Sequence, residues 1–100
     1  MVVILLDNVV STGVGSTKTP VVDAPKTFQA TVSGTGAVSA IVAVEVSNDS
    51  VNFLTLGTIT LSGTTVASDG FASFATWTYV RGNLTSISGT SAVVVLSMGI

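Results

Sequence analysis

Apolar and polar residues alternate along most of this chain with a period of two. From Thr27 to Ser33, Phe28, Ala30 and Val32 fall on one parity, while Thr27, Gln29, Thr31 and Ser33 fall on the other. A strand sends successive side chains to opposite faces, so this pattern predicts a half-buried strand. Val38 to Val46 repeats it, with Val38, Ala40, Val42, Val44 and Val46 together. There the second parity holds Ile41 and Ala43 as well, which predicts cover on both sides. Further on, Leu54 and Leu56 share one parity and Ile59 and Leu61 the other. One inserted residue reconciles them, and Gly57 at the switch predicts a β-bulge. In the strand predicted over Trp77 to Leu84, Val80 and Leu84 point inward with Gly82 between them and Trp77 anchors one end of the core. Ala92 to Leu96 is apolar on both parities, as in a central strand.

Glycine-bearing segments punctuate these runs. Ser-Gly-Thr follows Val32, Leu61 and Ile87, and Ser68-Asp-Gly precedes Phe71. Each is read as a turn, since glycine adopts the left-handed backbone at little cost. The expected fold is therefore all-β: a single β-sandwich or jelly roll of about eight short antiparallel strands. Residues 26–100 form that domain. Residues 1–25 are less regular: Met1 to Leu6 reads as a strand, Gly13 and Gly15 loosen the segment from Asp7 to Ser16, and Pro20 and Pro25 bracket Val21 to Ala24. Proline cannot donate to a ladder, so this last piece belongs at an edge or outside the sheet. Two uses stay open for the N-terminal residues, an arm laid on a neighbouring subunit or an irregular edge of the same chain.

Composition narrows the function. One hundred residues suffice for one core, and the abundance of β-branched Val and Thr favours extended backbone. The apolar runs, such as Val2 to Leu6, are four or five residues long, against the roughly 20 of a spanning helix, so no membrane partner is expected. A signal peptide's basic and apolar regions are not seen at the N-terminus, which predicts synthesis in a host cytoplasm. Three cationic residues, Lys18, Lys26 and Arg81, give no electrostatic footprint for nucleic acid. Charged residues make up 8%, where free domains carry about 25%. So neutral a surface predicts cover by partner subunits.

Catalytic equipment is scarce. There is no His and no Cys, so the many hydroxyls lack the usual base, and no enzyme and no cofactor are expected. A Ser-Lys pair using Lys18 or Lys26 is the residual alternative. The acidic residues Asp7, Asp23, Glu45, Asp49 and Asp69 are dispersed. Asp49 and Asp69 are candidate calcium ligands, but each turn offers one carboxylate, and Asp and Asn more often cap turns by bonding their own backbone. Alternation puts Trp77, Tyr79 and Arg81 on one face, which is either a sugar-stacking platform or, more plainly, a core Trp with Tyr79 and Arg81 at a subunit contact.

Four blocks in this order carry a resemblance: Gly-Ala-Val-Ser-Ala-Ile-Val-Ala-Val-Glu-Val-Ser-Asn-Asp-Ser-Val-Asn-Phe at 36–53, Leu-Gly-Thr-Ile-Thr-Leu-Ser-Gly-Thr at 56–64, Ala-Ser-Asp-Gly-Phe at 67–71, and Trp-Thr-Tyr-Val-Arg-Gly-Asn-Leu-Thr-Ser-Ile-Ser-Gly-Thr at 77–90. The chain resembles small structural proteins of tailed bacteriophages over residues 26–99. It also resembles a degenerate discoidin-type jelly roll, with Ser50 and Phe53 standing where that pattern has glycine and tryptophan; no binding residues carry over. The phage resemblance implies a non-enzymatic virion protein, of which a capsid decoration (cement) subunit is the first expectation and a head-fibre, tail or adaptor component, or a carbohydrate-binding module of the virion, the alternative. It implies as partners the major capsid protein and further copies of the chain, as a dimer or trimer on the capsid exterior. The interface residues expected on that reading are Val2, Val3, Ile4, Leu5, Leu6, Tyr79 and Arg81.

Overall fold

The computed structural model describes residues 2–20 and 24–100. It is all-β and antiparallel, with no helix among the described residues. The strands are β1 (Val2–Val9), β2 (Gly13–Val14), β3 (Lys26–Ser47), β4 (Leu54–Ser73) and β5 (Tyr79–Gly99). Their order is β1-β5-β3-β4, with β2 also on β5. Five strands thus stand where about eight short ones are expected. Val21 to Asp23, within the segment bracketed by the prolines, lie outside the described residues.

The difference in number has one cause. A straight strand of 22 residues would span about 70 Å at roughly 3.3 Å per residue, yet the longest dimension of the molecule is 40 Å. Each long strand is therefore bent double, and the Ser-Gly-Thr segments are the bends rather than turns between strands. They lie at one level: Thr35 pairs with Thr90 and Ala37 with Thr64, and the register shifts between Ser33 and Ala37 on β4 and between Ser33 and Ser39 on β5. Left-handed backbone concentrates there, at Gly36, Thr65, Gly89 and Ser91. Ser68-Asp-Gly is not a turn either; Asp69 lies within β4 opposite Ala30.

Bending turns the sheet into two facing layers. One comprises 2–9, 93–99, 27–33 and 66–73; the other comprises 13–18, 79–88, 39–47 and 54–63. Glycines mark where the layers touch. A Cβ on Gly57 would lie 2.6 Å from Cζ of Phe71, and one on Gly82 would lie 2.6 Å from Cδ2 of Leu96 and 2.9 Å from Cγ of Leu6. Each pair joins the two halves of one molecule across its core. Phe28 and Phe71 pack with ring centroids 5.1 Å apart.

The core follows the parities read from the sequence. Phe28, Ala30, Val32, Val38, Ala40, Val42, Val44 and Val46 are all buried, as are Ile59, Leu61, Val80, Leu84, Val94 and Leu96. Even-numbered residues of β3 stay inward on both sides of the bend, since Val38 lies an even offset of six positions beyond Val32. The bulge expected at Gly57 is present: Val44 pairs with Gly57 and Glu45 with Thr55, leaving Leu56 extra. β5 is central, between β1 and β3, although Val93 and Val95 are half-buried rather than buried. Its strand begins at Tyr79, leaving Trp77 in the preceding loop.

The N-terminal segment is an edge of the same sheet. β1 pairs with the last part of β5, from Val2 opposite Gly99 to Val9 opposite Val94. After a bend, Gly13 and Val14 pair with Leu84 and Asn83, Gly15 N–H donates to the Gly82 carbonyl at 2.8 Å, and Lys18 exchanges two backbone bonds with Val80. This pass doubles over as the other three do, so each layer contains four alternating chain segments.

Candidate interaction surfaces

The residues expected at an interface divide by burial. Leu5 and Leu6 are buried in the chain's own core, and Val3 packs against it. They cannot face a partner, and an arm built on them would open the core. Val2 and Ile4 remain exposed, at 66% and 43%, on the outer strand β1. Tyr79 and Arg81 lie half-buried on the outward face of β5.

Arg81 is held in place by its own sheet. Its Nε donates to Oε1 of Glu45 at 2.7 Å, Asn83 Nδ2 donates to Oε2 of Glu45 at 3.0 Å, and its guanidinium carbon stands 3.7 Å from the centre of the Phe53 ring. Glu45 and Arg81 are direct cross-strand neighbours, which is why a partly exposed pair aligns so well. Such contacts are worth about 0.5–1 kcal/mol each at this exposure. Trp77 is elsewhere: it packs from the loop onto the core, beside Phe28, Val46, Leu56 and Val80. Of the two readings open to these residues, Trp77 follows the plainer one and packs on the core, and it is not brought beside Tyr79 and Arg81 because it precedes the strand and escapes its alternation.

Asp49 organises the turn between β3 and β4. Val51 and Asn52 donate backbone N–H groups to its Oδ1 at 2.9 and 2.8 Å, Ser47 Oγ donates to the same oxygen at 2.7 Å, and Asn52 Nδ2 donates to Oδ2 at 3.0 Å. Ser47 Oγ in turn accepts from the N–H of Asp49 and of Ser50. The backbone N–H of Asn52, then that of Val51, with the Asn52 amide and the Ser47 hydroxyl behind them, hold the Asp49 carboxyl well below the usual carboxylate range. Asn48 Oδ1 accepts from the Thr78 hydroxyl at 3.3 Å, tying this turn to the loop before β5. Between the two roles open to Asp49, calcium ligand and turn cap, this geometry favours the cap, since both carboxylate oxygens bond to the chain itself. Asp69 sits in the other layer, accepting from Gly70 N–H at 2.8 Å. Among the described residues no three His, Cys, Asp or Glu side chains come together. Lys26 is buried, donating from Nζ to the carbonyls of Ala24 and Ala75 at 2.9 and 3.3 Å. Its described partners are carbonyls and include no hydroxyl, as a Ser-Lys pair would need. Asp23 lies outside the described residues.

The pair of sheet edges is what the sequence did not reveal. Among the described residues β4 is paired on one side only, with β3, along nearly its whole length of 20 residues, and Asp69 is its one charge. At the opposite side the β1–β2 pass forms the second edge. A cleft of about 530 Å³ opens at this edge, lined by Leu6, Val9 and Val14 together with the polar Asp7, Thr12 and Lys18. Exposed Val2, Ile4, Val10 and Val14 follow this edge, and exposed Leu54 and Val66 follow the other. Charge scarcity was visible in the sequence, but which strand ends up outermost depends on chain order in the sheet, which no local pattern carries.

No family model matches the chain, and no curated protein or solved structure does.

Proposed function

We infer that the chain is a non-enzymatic structural subunit that works by assembling with copies of itself and with a larger shell. The observation that carries this reading is β4: a 20-residue edge strand with a single charged residue. An open edge presents unpaired N–H and C=O groups, and proteins that stay monomeric blunt such edges with charge, proline or cover. Here bends and one bulge interrupt the edge, but neither Lys nor Pro guards it. The resemblance to tailed-phage structural proteins makes the shell a capsid and the role that of a decoration, or cement, subunit on the capsid exterior, with the doubled sheet as its jelly-roll-like sandwich. Little charge and large apolar and backbone contact area suit a protein that is added in many copies where capsid subunits meet.

The test is stoichiometric. Quantitative mass spectrometry of purified particles carrying this chain should return a copy number comparable to that of the major shell protein. A few copies per particle would replace the cement role with a head-fibre, tail or adaptor role. Absence from particles would remove the virion reading altogether.

A further inference from the structure

We propose that copies of the chain join head to tail, the β4 edge of one against the β1–β2 edge of the next. This deepens the assembly reading above and rests on it.

Strand direction permits the contact. Neighbouring strands alternate antiparallel through β1, β5, β3 and β4, so with four segments per layer the two outer ones run in opposite senses. A second copy set beside the first in the same orientation therefore offers its first edge antiparallel to β4. This holds in both layers at once, because both edges are bent strands. An antiparallel ladder can then continue from copy to copy.

Shape selects the occupant. β4 doubles over near Thr64 and Thr65, so a straight peptide could pair with only one of its halves. The complement must bend at the same level. The β1–β2 pass does so: Val9 pairs with Val94, which pairs with Val32, which pairs with Ala67. Exposed Val10 at the bend of one edge thus matches exposed Val66 beside the bend of the other. In the second layer Val14 pairs with Asn83, Asn83 with Ala43 and Ala43 with Thr58, which levels Val14 with Thr58. The cleft at this edge, lined by Val9 and Val14 beside the polar Asp7, Thr12 and Lys18, would be covered by the neighbour. A two-fold pairing of β4 with β4 would instead cover one edge and leave this cleft and its exposed valines facing water.

Such a contact is heterologous, so it can extend into rings or rows. Complementary variants test it, measured by light scattering after chromatography, with circular dichroism confirming the fold. Wild-type protein should form species larger than a dimer. Val10→Lys and Val66→Lys, each exposed, should each run as a folded monomer of 10.0 kDa. Mixed in equal amounts they should form a one-to-one dimer of twice that mass, through the edge each has kept. A Val10→Lys protein that still dimerises alone would overturn the proposal in favour of two-fold β4 pairing. Both variants assembling like wild type would overturn the edge assignment while leaving self-assembly standing. A wild-type chain that is monomeric at every concentration would remove the self-assembly reading and this inference with it.

Discussion

β3 and β4 are nearly equal in length, hydrogen-bond to each other along almost their whole course, and bend at the same level. They nevertheless solve different problems. β3 has a neighbour on each side and buries its even-numbered residues from Lys26 to Val46, apart from those in the bend. β4 has a neighbour on one side and buries only Ile59 and Leu61. Its remaining positions are chiefly Thr, Ser, Gly and Ala, small side chains that protect the backbone edge poorly. The lesson is that β3 holds the fold together while β4 completes it and is left available.

The largest expected effect separates the two strands directly. Phe28 of β3 is fully buried against the half-buried Phe71 of β4. Phe28→Ala should cost about 3–5 kcal/mol, as deletions of buried aromatic rings do, and Phe71→Ala distinctly less, read from the midpoints of urea unfolding. Equal costs would break the comparison by making β4 as much a core strand as β3.

Next comes the place where β4 does press on the core. Gly57→Ala would set a methyl group 2.6 Å from the Phe71 ring, an overpacking expected to cost about 1–3 kcal/mol. Adding Phe71→Leu should return part of the loss. A double-mutant cycle that shows no coupling would mean that the two halves of β4 do not meet across the core.

A smaller effect of opposite sign is expected at the bend. Thr65 adopts φ 64°, while β3 meets the same need with Gly36 at φ 73°. A β-branched residue is strained there, so Thr65→Gly should raise thermal stability, by about 1 kcal/mol or less once glycine's extra unfolded-state entropy is subtracted. Loss of stability would show that Thr65 makes a contact worth more than the strain.

The smallest effect concerns the turn that joins the two strands. The folded chain holds Asp49 below its ordinary value of 3.8, so the unfolded chain takes up its proton first as pH falls. The contribution of Asp49 to stability is therefore present above about pH 4 and drains away below it. Asp49→Asn should flatten the loss of stability in that acid range. An unchanged acid slope in the variant would place the titration elsewhere.

Much of the fold is legible in the sequence because burial in β3 and β5 follows parity alone: Phe28 to Val32, Val38 to Val46, and Val80, Gly82 and Leu84 are assigned inward from alternation, and the bulge at Gly57 from its reversal. The bends read as turns for a physical reason. Val32-Ser-Gly-Thr needs left-handed backbone in either case, and only the pairing of Thr35 with Thr90 and of Ala37 with Thr64 shows that the ladder continues past it. Trp77 packs on the core as expected, but from the loop before β5 and not from within a strand, since β5 starts two residues later. The interaction surfaces are the least legible part. Leu5 and Leu6 look like the apolar tip of an arm, yet both are buried, one after the other, because β1 shifts register between Ile4 and Leu6.

The contrast between a strand paired on both sides and one left open leads to the central claim, that copies meet at the open edges and not at the outward face around Glu45 and Arg81. Residue-resolved hydrogen exchange on the wild-type protein, dilute and concentrated, tests it most directly. Concentrating the protein should add protection at backbone amides of β4 and of residues 2–18 and leave β3, already paired on both sides, unchanged. Added protection confined to the face carrying Phe53, Tyr79 and Arg81, or none at any concentration, would contradict it.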